Sequence, residues 1–127
     1  MNQNYSETIK DHYKHPRNAG KLSDYTHTAE LVNPLCGDEI KVYIKLSRPE
    51  SGSRFGSGKI LDIAYEARGC MIAVASASVV SEFARGNKLS EIKKLGVQQV
   101  SELLDVSISP ARSSCACLVL DAMKKPL

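Results

Sequence analysis

A change of apolar periodicity near residue 70 constrains the fold of this chain more than any other feature. Before it, apolar and polar residues alternate over 39–46 and again over 59–67, a pattern typical of half-buried strands. After it, residues 70–85 are mostly small or apolar, and Gly86 follows them. This segment predicts a helix that ends at its glycine and lies close against the sheet.

The rest of the chain completes an α+β pattern. Ser6 is a suitable N-cap for a short amphipathic helix, and Ser109-Pro110 is a suitable start for the last helix. A loop rich in Ser and Gly is expected between the second and third strands. The predicted elements are a helix over 6–13, strands over 28–32, 39–46 and 59–67, a loop over 47–58, and helices over 70–85, 89–95, 97–104 and from 109 onward.

We therefore predict one domain covering residues 1–127, with helices packed on a three-stranded antiparallel sheet. A length of 127 residues with 43% hydrophobic and 24% charged residues is typical of one globular domain. The 17 basic and 14 acidic residues are interspersed, which argues against a nucleic-acid partner. No apolar run approaches the roughly 18–20 residues that span a bilayer, and the N-terminal segment does not resemble a signal peptide. A cytoplasmic location is expected.

Three of the four cysteines lie at predicted structural junctions. Cys36 is in a turn between strands, Cys70 lies where a strand meets a helix, and Cys115 is in the first turns of the last helix. Each junction is expected to expose its thiol, and helix N-termini favour an anion such as a thiolate. In a reducing compartment this usage indicates metal binding, catalysis or simple burial rather than disulfides.

Asp38 adds a carboxylate two residues after Cys36, with Gly37 between them to allow a tight approach. Three thiolates and one carboxylate suit either tetrahedral zinc or a [2Fe–2S] cluster. A hard carboxylate holds such a centre less firmly than a fourth thiolate would. A carrier that must release its cargo can use this weakness.

Cys115 and Cys117 point roughly 200° apart on a helix, so only one of them can face the site. Cys115 shares a row with residues that are expected to face the protein body: Ala111, Leu118, Val119 and Ala122. Cys117 shares a row with Leu120 and Lys124. We expect Cys115 to be the ligand and Cys117 to be a packed or partly exposed thiol.

Simpler interpretations stay open at this point. Free cysteine is often buried, so any one of the four taken alone fits a small core residue as well as a ligand. His12, His15 and His27 all precede the first cysteine, and we expect them at the surface or in turns rather than at a metal.

The motifs of the chain, taken in order, identify a known family. They are Asp11-His12-Tyr13 with Pro16-Arg17-Asn18-Ala19-Gly20, Asn33-Pro34-Leu35-Cys36-Gly37-Asp38, Gly69-Cys70 before a helix containing Ser76 and Ser78, and Arg112-Ser113-Ser114-Cys115-Ala116. With these motifs the chain resembles, nearly end to end, the U-type iron–sulfur scaffolds, the group that contains IscU, SufU and the N-terminal domain of NifU.

The resemblance implies an IscU/SufE-like α+β domain and a scaffold function without enzymatic turnover. A cysteine desulfurase would deliver persulfide sulfur, iron and electron donors would contribute, and a transient [2Fe–2S] cluster would pass to recipient apoproteins. The implied ligands are Cys36, Cys70 and Cys115, with Asp38 as ligand or release-promoting neighbour. Cys115 is the implied sulfur acceptor, and a homodimer could hold the loaded cluster.

The chain also departs from its relatives. Many IscU-type members have a histidine where this chain has Ser114, so Asp38 gains weight as the fourth ligand. Residues 108–112 differ from the chaperone-recognised segment of those members. SufU-type members carry an extra segment between the second and third site cysteines, which this chain lacks. We therefore expect an IscU-like layout with a SufU-like final motif.

Two other functions fit the same residues. One is a zinc-dependent, SufU-like sulfurtransferase, in which zinc orients Cys115 toward the desulfurase. The other is a structural zinc module for interactions, although structural sites tend to use short Cys-x2-4-Cys pairs, which this chain lacks.

Overall fold

A computed structural model of the chain describes residues 6–34, 37–47 and 58–125. Its three strands are β1 (His27–Asn33), β2 (Asp38–Leu46) and β3 (Ile60–Arg68). They form one antiparallel sheet in the order β1-β2-β3. The predicted three-stranded meander is confirmed, and each strand lies within a residue or so of its predicted bounds.

The helices of the described residues follow the predicted order. They are α1 (Glu7–Lys14), α2 (Met71–Ala84), α3 (Leu89–Lys93), α4 (Val97–Leu104) and α5 (Ser113–Lys124). None of these helices has the length and apolar character needed to cross a bilayer. The chain is therefore an α+β fold with the strands grouped before most of the helices.

Two helix ends confirm the capping predictions. The Ser6 hydroxyl accepts a hydrogen bond from the Ile9 amide at 3.1 Å and so caps α1. Gly86, which follows α2, has φ of +86°, a conformation that glycine adopts at low steric cost. The loop predicted over 47–58 lies mostly outside the described residues.

The start of the last helix differs from the prediction. Residues Pro110–Arg112 form a short 3-10 turn, and α5 begins only at Ser113. Ser109 precedes this turn but its side chain makes no capping hydrogen bond. Proline is tolerated in this turn because its missing N–H costs nothing in a first helical turn. The tighter turn then leads directly into α5.

One face of the sheet packs against α2 and α5 to form the core. Alternate side chains of β2, from Ile40 to Leu46, join the same apolar cluster as the small residues Ala75 and Ala77 of α2. The small side chains let α2 approach the sheet closely, as the sequence predicted. Burial of this apolar surface is the main stabilisation of the fold, and it fixes the ends of β1, β2, β3 and α5 relative to one another.

The N-terminal segment is fastened to α2 by polar contacts that the sequence did not predict. His12 is only 6% exposed, and its Nδ1 hydrogen-bonds the Ser78 hydroxyl at 2.6 Å. The same hydroxyl accepts from the Arg17 amide at 2.8 Å. The expectation of a surface histidine was wrong for His12, because α1 packs directly on α2 and covers it.

Candidate metal centre

Asp38 is the first residue of β2, and its side chain reaches the junction between β3 and α2. Its side chain is almost fully buried, with the residue 1% exposed. Oδ1 accepts a hydrogen bond from the Cys70 amide at 3.0 Å, and Oδ2 lies 3.8 Å from the Cys70 sulfur. One carboxylate thus holds the backbone of Cys70 and also lies beside its thiol.

Gly69 makes this approach sterically allowed. A β-carbon at this position would lie 2.7 Å from Cγ of Asp38 and 2.9 Å from its Cβ, with Oδ1 nearer still. Its φ of +145° is also one that other residues rarely adopt. The side chain of Asp38 therefore occupies the space that any other residue would need at position 69.

Cys115 enters the site from α5, two residues after the helix begins. Its sulfur, the Cys70 sulfur and a carboxylate oxygen of Asp38 all lie within 4.8 Å of one another. These donors come from three separate elements, at the start of β2, the N-cap of α2 and the first turn of α5. Local sequence cannot bring them together, because only the packing of α2 and α5 on the sheet does so.

Asn33 is a fourth polar side chain at this point of the fold, and it is 7% exposed. Its Nδ2 donates to the Ser114 hydroxyl at 3.0 Å and lies 4.0 Å from the Cys115 sulfur in donor geometry. Its backbone carbonyl accepts from the Gly37 amide at 2.8 Å. Asn33 thus connects the turn before β2 to the start of α5.

The structure brings together three of the four residues predicted as ligands. Asp38, Cys70 and Cys115 form the group, and Cys36 lies outside the described residues. The expectation that each junction exposes its thiol was wrong for Cys115, which is 1% exposed. Cys70 is the more open thiol of the described pair.

Cys117 lies outside this group of donors, as its position on the helix predicted. Burial raises the pKa of its thiol, and the nearby Asp121 carboxylate raises the pKa further. A thiol with a raised pKa carries little thiolate at neutral pH and is a weak nucleophile. The expected row was only partly right, since Leu120, which shares it, is 1% exposed and belongs to the core.

Asn33 and Gly69 lie within the family motifs, but the sequence predicted no role for either of them. A signal was present for Gly69, because a glycine directly before a junction cysteine indicates a positive φ or a close approach. Asn33 offered no such signal, since Asn before Pro is common in turns.

Two sulfurs and one carboxylate oxygen at this separation suit a thiophilic ion. Zinc and iron both accept thiolate and carboxylate donors in tetrahedral arrangements. Three donors leave one position of a tetrahedron to be supplied by a further ligand. The arrangement can therefore hold a metal ion or one iron of a cluster, with its most polar ligand on β2.

A scan against protein-family models matches residues 4–127 to the NifU-like N-terminal domain. Two curated relatives illustrate the sequence similarity. An iron–sulfur cluster assembly scaffold protein IscU of Archaeoglobus fulgidus is 31% identical over 97% of this chain and 74% of its own length. The scaffold protein IscU of Azotobacter vinelandii is 32% identical over 94% of this chain and 88% of its own length.

A solved structure gives the same picture at the level of the fold. A Fervidobacterium islandicum protein, provisionally described as an iron–sulfur cluster assembly scaffold for the SUF system, superposes with a TM-score of 0.74 at 26% identity. The match covers 94% of this chain and 93% of that one. Helices on a three-stranded antiparallel sheet are thus shared with a solved protein over nearly the whole chain.

Proposed function

Since this chain belongs to the NifU-like N-terminal domain family, we propose that it is an iron–sulfur cluster assembly scaffold. It would build a labile [2Fe–2S] cluster and transfer it to recipient proteins. The observation that carries the proposal is the convergence of Asp38, Cys70 and Cys115 to within 4.8 Å from three separate elements. The expected cytoplasmic location stays a prediction.

Cys36, Cys70 and Cys115 supply the thiolates in this proposal, and Asp38 supplies the fourth donor. Cys36 is included because it lies two residues before Asp38 in the sequence. Oδ1 of Asp38 already accepts from the Cys70 amide, so the carboxylate would offer its other oxygen as a single hard donor. A hard oxygen binds iron of a cluster less firmly than a thiolate does, which favours release of the cargo.

Cys115 is the proposed sulfur acceptor. Its thiolate would attack the outer sulfur of a persulfide on a cysteine desulfurase, forming a persulfide on Cys115 and releasing the desulfurase cysteine as a thiolate. Because Cys115 is 1% exposed, the residues that cover it must move before the attack. The 3-10 turn Pro110–Arg112, which precedes α5 and has no side-chain cap, is the segment that would open.

The partners in this proposal follow from the same chemistry. They are a cysteine desulfurase, donors of iron and electrons, and apoproteins that receive the cluster. A second copy of the chain would serve as a homodimer partner in the loaded form. The chain itself would act as a carrier and not as an enzyme, since the cargo rather than a turnover product leaves the site.

Anaerobic reconstitution tests the proposal directly. The protein is incubated with ferrous iron, cysteine and a cysteine desulfurase, and then studied by visible and Mössbauer spectroscopy. We expect about one [2Fe–2S] centre per monomer or dimer, lost when Cys115 is replaced by alanine. A protein that binds iron but never shows the spectrum of a cluster would contradict the scaffold function.

The role of Asp38 is tested by two variants that separate its two contacts. Asp38→Ala removes both, whereas Asp38→Asn keeps a carbonyl oxygen for the Cys70 amide and removes the charge. We expect both variants to transfer the cluster to an acceptor more slowly than the wild type, and Asp38→Asn to lose less folding stability. Transfer rates equal to those of the wild type would refute a release role for the carboxylate.

A zinc-dependent sulfurtransferase is the second candidate, and one observation favours it. The described donors lie close enough to share a single ion, and tetrahedral zinc takes such sulfur and oxygen ligands. In that case zinc would bind stoichiometrically, the desulfurase would be strongly stimulated, and no cluster would form during anaerobic reconstitution. Zinc found after aerobic purification does not separate the two functions, because the same donors accept either metal.

A further inference from the structure

Asn33 is held in place independently of any metal. It is the last residue of β1 and pairs in the sheet register with Asp38, the first residue of β2. Its carbonyl also accepts from the Gly37 amide at 2.8 Å. The backbone at Asn33 is thus fixed both by the ladder and by the turn, and its side chain begins from a defined point next to the thiol site.

The side-chain amide of Asn33 has two N–H donors, and two acceptors at the start of α5 lie within reach of its nitrogen. The Ser114 hydroxyl oxygen lies 3.0 Å from Nδ2, and the Cys115 sulfur lies 4.0 Å from it. Both acceptors are at the start of α5, while Asn33 is 7% exposed. Water therefore competes weakly for the donor that points at the sulfur.

The contact with sulfur depends on the charge of that sulfur. The 4.0 Å separation is at the long end for a hydrogen bond to sulfur. Hydrogen bonds to an ionised acceptor are shorter and about twice as strong as neutral ones. The same amide would therefore bind more tightly once Cys115 becomes an anionic ligand.

We propose that Asn33 is a positioning residue of the thiol site, whose amide donates a hydrogen bond to the Cys115 sulfur when that sulfur ligates a metal or cluster. The bond orients the sulfur and withdraws part of its electron density. Hydrogen bonds to ligand sulfurs are one of the factors that set the reduction potential of an iron–sulfur cluster. The inference rests on the proposed function in taking Cys115 as a ligand.

Cobalt(II) alone is the first probe, because it tests ligation by thiolate without any cluster. The wild type bound to cobalt should show a sulfur-to-cobalt charge-transfer band. A hydrogen bond lowers the energy of the sulfur donor electrons, so its removal shifts this band to longer wavelength. Asn33→Leu, a neutral side chain of similar shape, should show that shift, and Asn33→Asp, which keeps the size but lacks the N–H donors, should shift the band in the same direction.

Two control variants separate this effect from general damage to the structure. Ser114→Ala removes the other acceptor of the same amide and should leave the band at the wild-type energy. Asn87→Leu loses a side-chain hydrogen bond to the Phe83 carbonyl, and it lies beyond the opposite end of β3 from Cys70. It should reduce stability without moving the band.

The second probe is the reduction potential of the reconstituted cluster. Loss of the hydrogen bond destabilises the more negative, reduced form, so the potential of Asn33→Leu should be lower than that of the wild type and of Ser114→Ala. A band and a potential unchanged in both Asn33 variants would overturn the inference.

The outcomes also distinguish this inference from the proposed function. If the wild type gives the cobalt band but never forms a cluster, the scaffold function fails and the cobalt shift alone decides the role of Asn33. If the wild type gives no sulfur-to-cobalt band, Cys115 is not a thiolate ligand and both conclusions fall.

Discussion

Replacing Gly69 with alanine tests the geometry on which the metal centre depends. The new β-carbon would lie 2.7 Å from Cγ of Asp38, far inside the roughly 3.5–4.0 Å at which carbon atoms pack. The variant must also keep φ near +145°, which costs about 1–3 kcal/mol for a residue with a side chain. Asp38 would have to leave its place beside Cys70.

The loss of the Asp38 contact adds to the backbone cost. The carboxylate would give up its hydrogen bond to the Cys70 amide, a charged bond that contributes about 1.5–3 kcal/mol. We therefore expect Gly69→Ala to lower the free energy of unfolding by about 2.5–6 kcal/mol, a large part of the ~5–15 kcal/mol that holds a domain folded.

Gly20→Ala is the matched control. Gly20 has a similar φ of +130°, but a β-carbon there would meet nothing within 4 Å. Its cost should be limited to the backbone strain of about 1–3 kcal/mol. The difference between the two variants isolates the displacement of Asp38 and should be about 1.5–3 kcal/mol.

Urea denaturation followed by circular dichroism measures both variants, and cobalt or zinc binding reports on the site. Gly69→Ala should also weaken metal binding, whereas Gly20→Ala should not. In an Asp38→Ala background, Gly69→Ala should cost less than in the wild type, since the atoms it meets first are gone. Equal costs for the two glycines, with metal binding intact in both, would refute the steric argument.

Four further predictions follow from the fold and the site. Burial lowers the pKa of His12, so the unfolded chain takes up a proton first and stability should fall as the pH drops below about 6.5. His12→Gln should lose less unfolding free energy than the wild type between about pH 7.5 and about pH 5.5, as measured by urea denaturation at each pH. An equal loss in the variant and the wild type would contradict this. Ile44→Ala should lower the free energy of unfolding by about 2–5 kcal/mol in the same assay, because Ile44 is fully buried and the smaller side chain loses apolar burial and leaves a cavity. A cost below about 1 kcal/mol would count against burial of Ile44 in a packed core. Stripping metal with a chelator should leave cooperative thermal unfolding, because most of the apolar core consists of side chains that cannot ligate metal, such as Ile44 and Val80, although the proposed ligand Cys115 also belongs to it. Complete unfolding would instead favour a structural zinc module. Cys117→Ala should keep cobalt binding and Cys115→Ala should weaken it, as followed by the charge-transfer band; the reverse order would exchange the roles of the two thiols.

The strands and the long helix could be predicted because their signals are local. Alternation along 39–46 becomes β2, and the run of small residues after residue 70 becomes α2. Periodicity reports which side chains of an element are buried, and the backbone geometry repeats with that same period. The shift at the start of α5 escaped because capping and 3-10 turns depend on the placement of single residues.

The candidate site could be predicted only in its residue types. Junction cysteines with a nearby carboxylate indicated metal chemistry, and the motifs indicated the family. The burial of Cys115 and the burial of His12 were not predicted, because each is covered by an element distant in sequence. Periodicity within a helix does not identify the element that packs against it.

The sequence by itself determined the order of strands and helices, the donor atoms available for a metal, and the family to which the chain belongs. Only the tertiary structure decided that Asp38 bonds the Cys70 amide, that Gly69 leaves room for it, and that Asn33 reaches the Cys115 sulfur. These contacts join residues 32 and 82 positions apart. Each contact depends on how α2 and α5 pack on the sheet. That arrangement is determined by packing of the whole core rather than by the pattern of any one segment.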